Sequence, residues 1–451
     1  MNRYFGTDGI RGRAGAMLTP ELALRAAFGF AQMAADGQRF RARQRPLIVV
    51  GCDSRLSSPM LEAAVCSGIA LAGCDALRLA IVPTPVVPLM VLAQKAAGGV
   101  MITASHNPIE DNGIKLFGGD GLKISPARGV QIERVIDQPE QCRVPQEMRF
   151  GELKPLNPKP GYLAFVKRAL GIRPGGAALR IVLDCAYGAT CELAPAAFAS
   201  AGFKVLPIHA EFDGARVNVQ CGATSLAALS AQVLKSRADF GLAFDGDGDR
   251  VLAIDHAGRP VNGDQIIALF ATRLPRYRRE GAIVMTQMTN MGVEEALEQR
   301  GIKLLRTDVG DTLVLEELIR RDLHLGGEQS GHVIMRDKLP TGDGILAGLQ
   351  LALLVRRAGK PLADLAAEFP QYPQQLTNLK VRDRKAWQRD QQFRREFASV
   401  RAHFRKVRFY LRPSGTEDLV RVLTEARDHE LCRLGNEAAC AVFAAWDARL
   451  K

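Results

Sequence analysis

The densest group of chemically active side chains is DGDGDR at residues 245–250, where Asp245, Asp247 and Asp249 alternate with glycines. On an extended strand the three carboxylates would share one face but span ~13 Å, which is too far for one ion. The glycines allow the chain to curl and bring the carboxylates together. Oxygen ligands of this charge suit Mg²⁺, so the motif predicts one magnesium site. A polar turn is the alternative.

A second polar loop, RPSGTED at residues 412–418, has the side chains of a phosphate-binding site. It offers one guanidinium, two hydroxyls and a glycine turn whose backbone N–H groups can point at an anion. We therefore predict that this loop binds a phosphate group, with Arg412 as the charged donor and Arg421 as a second arginine further along the chain. The predicted phosphate-binding residues are Arg412, Ser414, Gly415, Thr416 and Arg421. An ordinary Pro-Ser-Gly turn is the alternative.

The loop GGEQSGH at residues 326–332 places Glu328 and Ser330 two apart between glycines. Such a pair can hold neighbouring hydroxyl groups of a sugar, whereas the simpler interpretation is a capped turn. His332 is a candidate proton carrier, because histidine titrates near neutral pH.

The stretch MITASHNPIEDNGIK places Ser105 after an apolar strand and before an Asn-Pro turn. It lacks the GxSxG pattern of hydrolases, and neighbouring side chains usually diverge, which argues against a Ser105–His106 pair. A turn serine is the alternative. If Ser105 lies beside a magnesium site, however, it can carry a phosphoryl group without a neighbouring base. Phosphoryl transfer depends on positioning and charge neutralisation more than on a strong nucleophile. The candidate catalytic residues are Ser105, His106, Lys115, Arg250 and His332.

The composition limits the classes of protein to which the chain can belong. The chain has 451 residues, 47% hydrophobic and 24% charged, which predicts several globular domains. The net charge of +12 is consistent with a solvated surface or with anionic ligands. No recognition motif accompanies it, so we expect no nucleic acid. Nine scattered cysteines without a CxxC pair favour the reducing cytoplasm. The apolar stretch at 79–94 is short and broken by prolines, so we expect no membrane span.

A strand–helix–strand pattern recurs at residues 46–82, 178–210 and 281–310. After each copy a further strand runs into one of the polar loops, and apolar residues resume beyond it. The pattern predicts three related α/β domains with mainly parallel, helix-covered sheets and a distinct smaller α+β C-terminal domain. Because such sites lie at the carboxyl ends of strands, the loops could meet in one central cleft. Clusters of Pro, Gly and Asn place the domains at 1–153, 154–256, 257–369 and 370–451.

The motifs TASHNP, DGDGDR, GEQSGH and RPSGTE, in this order across the whole chain, resemble the α-D-phosphohexomutase superfamily. The resemblance implies that Ser105 is a phosphoserine and that its phosphoryl oxygen and Asp245, Asp247 and Asp249 bind Mg²⁺. It also implies that Glu328 and Ser330 hold the sugar, and that the RPSGT loop holds the phosphate that is not being transferred. A sugar 1,6-bisphosphate is then the intermediate.

Within that superfamily, YFGTDGIRG and GGEQSGH are most similar to the members that interconvert glucosamine 6-phosphate and glucosamine 1-phosphate on the route to UDP-N-acetylglucosamine. Cys52, Tyr187 and Asp418 depart from the expected pattern beside the motifs. A mutase for mannose or glucose phosphates is the close alternative, and a non-catalytic nucleic-acid-binding protein is the remote one. We expect a small-molecule hexosamine phosphate as partner, and a monomer or homodimer.

Overall fold

Four β-sheets organise the chain. The computed structural model describes residues 3–6, 8–36, 45–138, 140, 150–172, 175, 178–414 and 418–450. Within those residues the sheets have seven, five, four and three strands.

The first sheet is formed by β1 (Phe5–Gly6), β2 (Gly9–Arg13), β3 (Leu47–Cys52), β4 (Asp75–Ile81), β5 (Gly98–Ile102), β6 (Asp111–Gly118) and β7 (Leu153–Pro155). Its helices are α1 (Pro20–Asp36), α2 (Ser58–Leu71), α3 (Val86–Gln94) and α4 (Pro126–Asp137). The strand order is β1-β2-β6-β5-β3-β4-β7, with β5, β3, β4 and β7 parallel. Strand β5 is buried at every position, as a central strand covered by helices on both faces must be.

The second sheet is formed by β8 (Arg180–Asp184), β9 (Lys204–Ile208), β10 (Phe240–Phe244), β11 (Val251–Asp255) and β12 (Pro260–Val261). Helices α5 (Lys159–Leu170), α6 (Leu193–Ser200) and α7 (Ala227–Ser236) accompany it, together with a 3₁₀ turn at Gly222–Thr224. The strand order is β12-β11-β10-β8-β9, and β10, β8 and β9 are parallel.

The third sheet is formed by β13 (Ala282–Thr286), β14 (Lys303–Thr307), β15 (Leu325–Gly327) and β16 (Val333–Met335), in the order β14-β13-β15-β16. Its helices are α8 (Gly263–Arg273), α9 (Pro275–Glu280), α10 (Met291–Glu298), α11 (Asp311–Arg321), α12 (Gly344–Ala358) and α13 (Leu362–Ala366). Helix α8 begins with a reciprocal cap, in which the Asn262 side chain accepts from the backbone of Gln265 and the Gln265 side chain accepts from that of Asn262.

The last sheet differs, as expected, because its three strands are all antiparallel. They are β17 (Gln374–Lys380), β18 (Arg408–Pro413) and β19 (Leu419–Glu425), in the order β17-β19-β18. A 3₁₀ turn at Ala386–Gln388 and the helices α14 (Gln391–His403) and α15 (His429–Arg449) complete the unit.

The predicted repeat is confirmed in the first three sheets. In each, a parallel strand leads into a polar loop and an antiparallel strand returns from it: β5 and β6, β10 and β11, β15 and β16. The sheets are therefore mixed, with a parallel centre. The predicted helix stops Gly73, Gly202 and Gly301 have φ values of 79°, 83° and 74°, which glycine adopts without strain.

One hydrophobic cluster is continuous through the first three sheets. It contains Met101 of β5, Leu242 of β10 and Met285 of β13, each fully buried. The last unit has separate clusters, the larger of which is built around Phe393, Phe443 and Trp446. The first three sheets thus share a core and the last does not. The domain boundaries predicted at 153, 256 and 370 stay predictions.

Trp446→Ala should destabilise the last unit. The Trp446 side chain is 0% exposed, and its Nε1 donates to Asp390 Oδ2 at 3.1 Å. Emptying such a site costs about 3–5 kcal/mol. Denaturant unfolding can be followed through Trp387, the only other tryptophan, whose ring centroid lies 5.4 Å from that of Phe443. We expect a lower midpoint for Trp446→Ala and a smaller loss for Trp446→Phe; an unchanged midpoint for Trp446→Ala would contradict this packing.

Candidate active site

The DGDGDR loop connects β10 to β11 and gathers its three carboxylates. Asp245, Asp247 and Asp249 are all buried, and one oxygen from each lies within 4.8 Å of the others. The curl depends on Gly248, whose φ is +70° and where a Cβ would lie 2.4 Å from the Thr190 Cγ2 atom. The glycine spacing therefore brings together charges that an extended strand would keep apart.

The donor set fits a divalent cation. Oδ1 of Asp247 and Oδ1 of Asp249 are buried and accept no hydrogen bond within the described residues. Their other oxygens are engaged: Asp247 Oδ2 accepts from Thr84 Oγ1 at 2.6 Å and from Lys115 Nζ at 2.8 Å. Buried carboxylate oxygens without a donor are costly unless a cation or a proton satisfies them. Hard oxygen ligands of this kind suit Mg²⁺.

Ser105 lies directly against this trio. Its side chain is buried, and its Oγ donates to Asp245 Oδ2 at 2.8 Å. Its φ is +52°, in the left-handed region that is unfavourable for residues other than glycine. This backbone brings Ser105 Oγ to 3.3 Å from His106 Nδ1. The expectation that these adjacent side chains diverge was therefore wrong, because it assumed an ordinary extended backbone.

Arg55 fixes the serine loop and was not predicted. Its buried guanidinium donates to the backbone carbonyl oxygens of Ser105, Asn107 and Asp111 at 2.9, 2.8 and 2.9 Å, and also to that of Pro108. One side chain thus holds four points of the loop. The available signal was a polar Asp-Ser-Arg immediately after the buried strand β3, which pairs with β5, the strand that leads into the Ser105 loop.

Six side chains, three acidic and three basic in alternation, form a closed ring that includes Asp249 of the trio. N···O distances of 3.5, 2.6, 3.6, 3.6 and 3.2 Å, together with one closer contact between Asp8 and Lys123, join side chains from the units of the first three sheets. The order around the ring is Lys115, Asp8, Lys123, Asp311, His332 and back through Asp249 to Lys115. Only Lys115, His332 and Asp249 were predicted, because the other three lie outside the four motifs.

The network shifts the pKa values of its members. Burial acts to lower the pKa of Lys115, but the carboxylates of Asp247, Asp8 and Asp249 outweigh it and hold that pKa well above its usual value. Burial acts to raise the pKa of Asp249, yet Lys115 and His332 hold it well below the usual range. Burial and the neighbouring carboxylates raise the pKa of Asp245.

Arg250 and His332 complete the charged surroundings. Burial acts to lower the Arg250 pKa, but Asp245 and Asp249 raise it, and Arg250 Nε lies 3.9 Å from Asp249 Oδ1. His332 is buried, and its pKa is raised by Asp249 and Asp311 against the effect of burial. Both candidates therefore border the trio.

The GEQSGH loop adjoins the metal loop. The backbone N–H of Val251 donates to the Gly331 carbonyl at 3.0 Å, which ties the two loops together. Glu328 is half-buried and accepts from the Gly310 N–H at 3.2 Å and from Ser330 Oγ at 3.4 Å. Glu328 and Ser330 therefore contact each other in a loop that adjoins the metal loop.

The fourth loop is described only in part, because Gly415 and Thr416 lie outside the described residues. Arg412 on β18 stands directly opposite Arg421 on β19, and Arg421 Nε is buried with no hydrogen-bond partner within the described residues. Opposed like charges destabilise a strand pair unless an anion lies between them. Among the residues that the structure describes, no hydrogen bond or ion pair joins either arginine to the other three loops.

Known proteins match this arrangement along the whole chain. Models of the phosphoglucomutase/phosphomannomutase family match residues 2–143 (alpha/beta/alpha domain I), 160–258 (domain II), 262–372 (domain III) and 376–438 (C-terminal domain). The phosphoglucosamine mutase of Caldanaerobacter subterraneus is 41% identical over 446 residues, which cover 97% of this chain and 98% of that protein. The chain belongs to the phosphoglucomutase/phosphomannomutase family.

Solved structures of the same family share the fold. A phosphoglucomutase/phosphomannomutase family protein from Burkholderia thailandensis superposes with a TM-score of 0.82 at 23% identity, covering 99% of this chain and 98% of that one. The N-acetylphosphoglucosamine mutase of Aspergillus fumigatus, solved with GlcNAc-6P and magnesium, gives 0.70 at 17% identity, with 99% and 95% covered. In the described part of this family member, no helix is long and apolar enough to cross a bilayer.

Asp249→Asn should weaken divalent-cation binding. It removes one negative charge and turns one oxygen of the trio into an amide nitrogen, which cannot be a ligand. We expect the dissociation constant for Mn²⁺, measured by electron paramagnetic resonance, to rise at least about tenfold. Asp255→Asn, at the far end of the same hairpin, makes the same change away from the trio and should bind as the unaltered protein does. Equal affinities for all three proteins would exclude the trio as the site.

Proposed function

We propose that the protein is a phosphoglucosamine mutase, which interconverts glucosamine 6-phosphate and glucosamine 1-phosphate through a phosphoserine on Ser105. The observation that carries the proposal is Ser105 Oγ, buried and 2.8 Å from Asp245 Oδ2 within a carboxylate trio. A nucleophile held against three carboxylates needs a cation, and it is suited to carrying an anionic group that the cation neutralises. The 41% identity to a phosphoglucosamine mutase supports the choice of sugar.

The reaction is two reciprocal phosphoryl transfers. In the first, the bond between phosphorus and Ser105 Oγ breaks, and a bond forms between phosphorus and the free sugar hydroxyl oxygen. The hydroxyl proton passes to a base, and Ser105 Oγ takes up a proton. The product is the 1,6-bisphosphate, which turns around in the cleft. In the second transfer its other phosphoryl group moves to Ser105, with the proton movements reversed, so phosphate and charge balance over the cycle.

Asp245, Asp247, Asp249 and an oxygen of the Ser105 phosphoryl group would hold Mg²⁺. When bound, the ion supplies positive charge that offsets the charge of the group in transfer. Lys115 adds positive charge beside the trio, since its Nζ lies 2.8 Å from Asp247 Oδ2. Lys115 and His332 are the candidates for proton exchange with Ser105 and the sugar, and His106 and Arg250 border the same space.

The remaining loops would hold the substrate. Glu328 and Ser330 would bind sugar hydroxyls, and paired contacts of this type accept a sugar in two opposite orientations. The phosphate that is not in transfer would bind to the RPSGT loop, where an anion would relieve the opposed charges of Arg412 and Arg421. Ser414, Gly415 and Thr416 would donate the remaining hydrogen bonds.

The phosphoserine can be tested on the protein itself. Intact-mass measurement should show a fraction that is one phosphate heavier, and peptide mapping should place the phosphate on Ser105. Ser105→Ala should lose that species and all mutase turnover, because the acceptor oxygen is gone. A phosphate on a different residue, or turnover retained by Ser105→Ala, would disprove the assignment.

The sugar is tested by comparing rates. Matched assays with the 6-phosphates of glucosamine, mannose and glucose should give the highest kcat/KM for glucosamine 6-phosphate. A preference for mannose or glucose would instead support a phosphomannomutase/phosphoglucomutase, with the same site and mechanism. Salt-sensitive binding to arbitrary duplex DNA without turnover of any sugar phosphate would favour the nucleic-acid alternative.

A further inference from the structure

The side chain of Asn218 joins the serine loop to the metal loop. Its Nδ2 donates to the Ser105 carbonyl oxygen at 2.8 Å, and its Oδ1 accepts from the Gly246 N–H at 2.8 Å. Asn218 lies between β9 and α7, in the unit that carries the metal loop, whereas Ser105 belongs to the first sheet. A single amide therefore bridges the two units at the point where their reactive groups meet.

The amide fits tightly against the metal loop. A Cβ on Gly246 would lie 2.6 Å from Asn218 Nδ2 and 3.0 Å from the Ser105 carbonyl oxygen, so no larger residue fits between them. Asn218 itself has a φ of +61°, a conformation that asparagine tolerates better than most residues. Its backbone N–H donates to the Ala186 carbonyl at 3.2 Å, which holds it in that conformation.

Within the described residues two side chains donate to the Ser105 carbonyl oxygen, and only one of them comes from the unit that carries the metal loop. Arg55 Nη2 donates at 2.9 Å, but Arg55 follows β3 in the same sheet as the serine loop. Asn218 is the donor that comes from the unit of the metal loop. Ser105 has a left-handed φ, which persists only where its surroundings fix it.

We propose that Asn218 is a positioning residue that sets the distance between Ser105 Oγ and the carboxylate trio for both phosphoryl transfers. The inference rests on the proposed function, since it assigns Asn218 a part in the same reaction. Asn218 makes no described contact with Glu328 or Ser330, so sugar binding does not depend on it. Loss of the bridge should therefore lower kcat and leave KM for the sugar phosphate nearly unchanged.

Asn218→Asp tests the donor specifically. The substitution keeps the size of the side chain and the acceptor for the Gly246 N–H, but it places a carboxylate oxygen against the Ser105 carbonyl. We expect kcat to fall about 100-fold, as for a misplacement of order 1 Å, with KM changed less than about twofold.

Gln220→Glu is the matched control, because it makes the same amide-to-acid change on an exposed side chain two residues away. Its kcat should equal that of the unaltered protein. Asn218→Gly, which suits the left-handed backbone, removes both bonds and should lower kcat with KM nearly unchanged.

The two proposals fail separately. An unaltered protein with no mutase turnover would overturn the proposed function. An active unaltered protein together with full kcat for Asn218→Asp would overturn only the role of Asn218. A loss of catalytic efficiency in Asn218→Asp that is carried by KM and not by kcat would also overturn it, since the placement of Ser105 against the trio does not alter sugar binding. If Asn218→Asp folds poorly, Asn218→Gly takes its place in the test: a lower kcat with an unchanged KM supports the role of Asn218, and an unchanged kcat overturns it.

Discussion

A ring of alternating charges, from Lys115 through Asp8, Lys123, Asp311, His332 and Asp249, is the constraint that organises the cleft. Charged groups with so little exposure are tolerated only when each has a partner, and removal of one leaves its neighbours uncompensated. The members come from three different sheets, so the pairing fixes the relative placement of those sheets. Oδ1 of Asp247 accepts no hydrogen bond within the described residues and stays available to a cation, whereas Oδ1 of Asp249 also faces His332 Nδ1 at 3.6 Å.

The hydrophobic core separates the last unit from the first three sheets. The first three sheets share one continuous cluster, whereas the last unit is built around its own aromatic side chains. Contacts between the third and last units are polar, such as Arg408 Nη2 to the Gln287 carbonyl at 2.8 Å and Gln329 Nε2 to Gln374 Oε1 at 3.1 Å. Polar interfaces of this kind permit domains to reorient. In the proposed reaction, that freedom would help the bisphosphate to turn around between the two transfers.

The site explains a serine that has no dedicated base. Ser105 is 2.8 Å from Asp245 and 3.3 Å from His106, but the group that it would carry is already anionic and labile. Phosphoryl transfer gains more from fixed positions and compensating charge than from a stronger nucleophile. Arg55 and Asn218 hold the Ser105 backbone, and Lys115 places positive charge against Asp247 and Asp249, so these residues provide the fixed positions and the compensating charge.

The sequence alone determined the repeated strand–helix–strand units, the family and the carboxylate trio, because these depend on neighbouring residues whose period or spacing is visible in one stretch of chain. The left-handed backbone of Ser105, the bridge from Asn218 and the ring through Asp8 and Asp311 were decided only by the tertiary structure. Asn218 lies 113 positions from Ser105, and contacts at such separation leave no pattern in either stretch. Gly415 and Thr416 stay predictions from the motif.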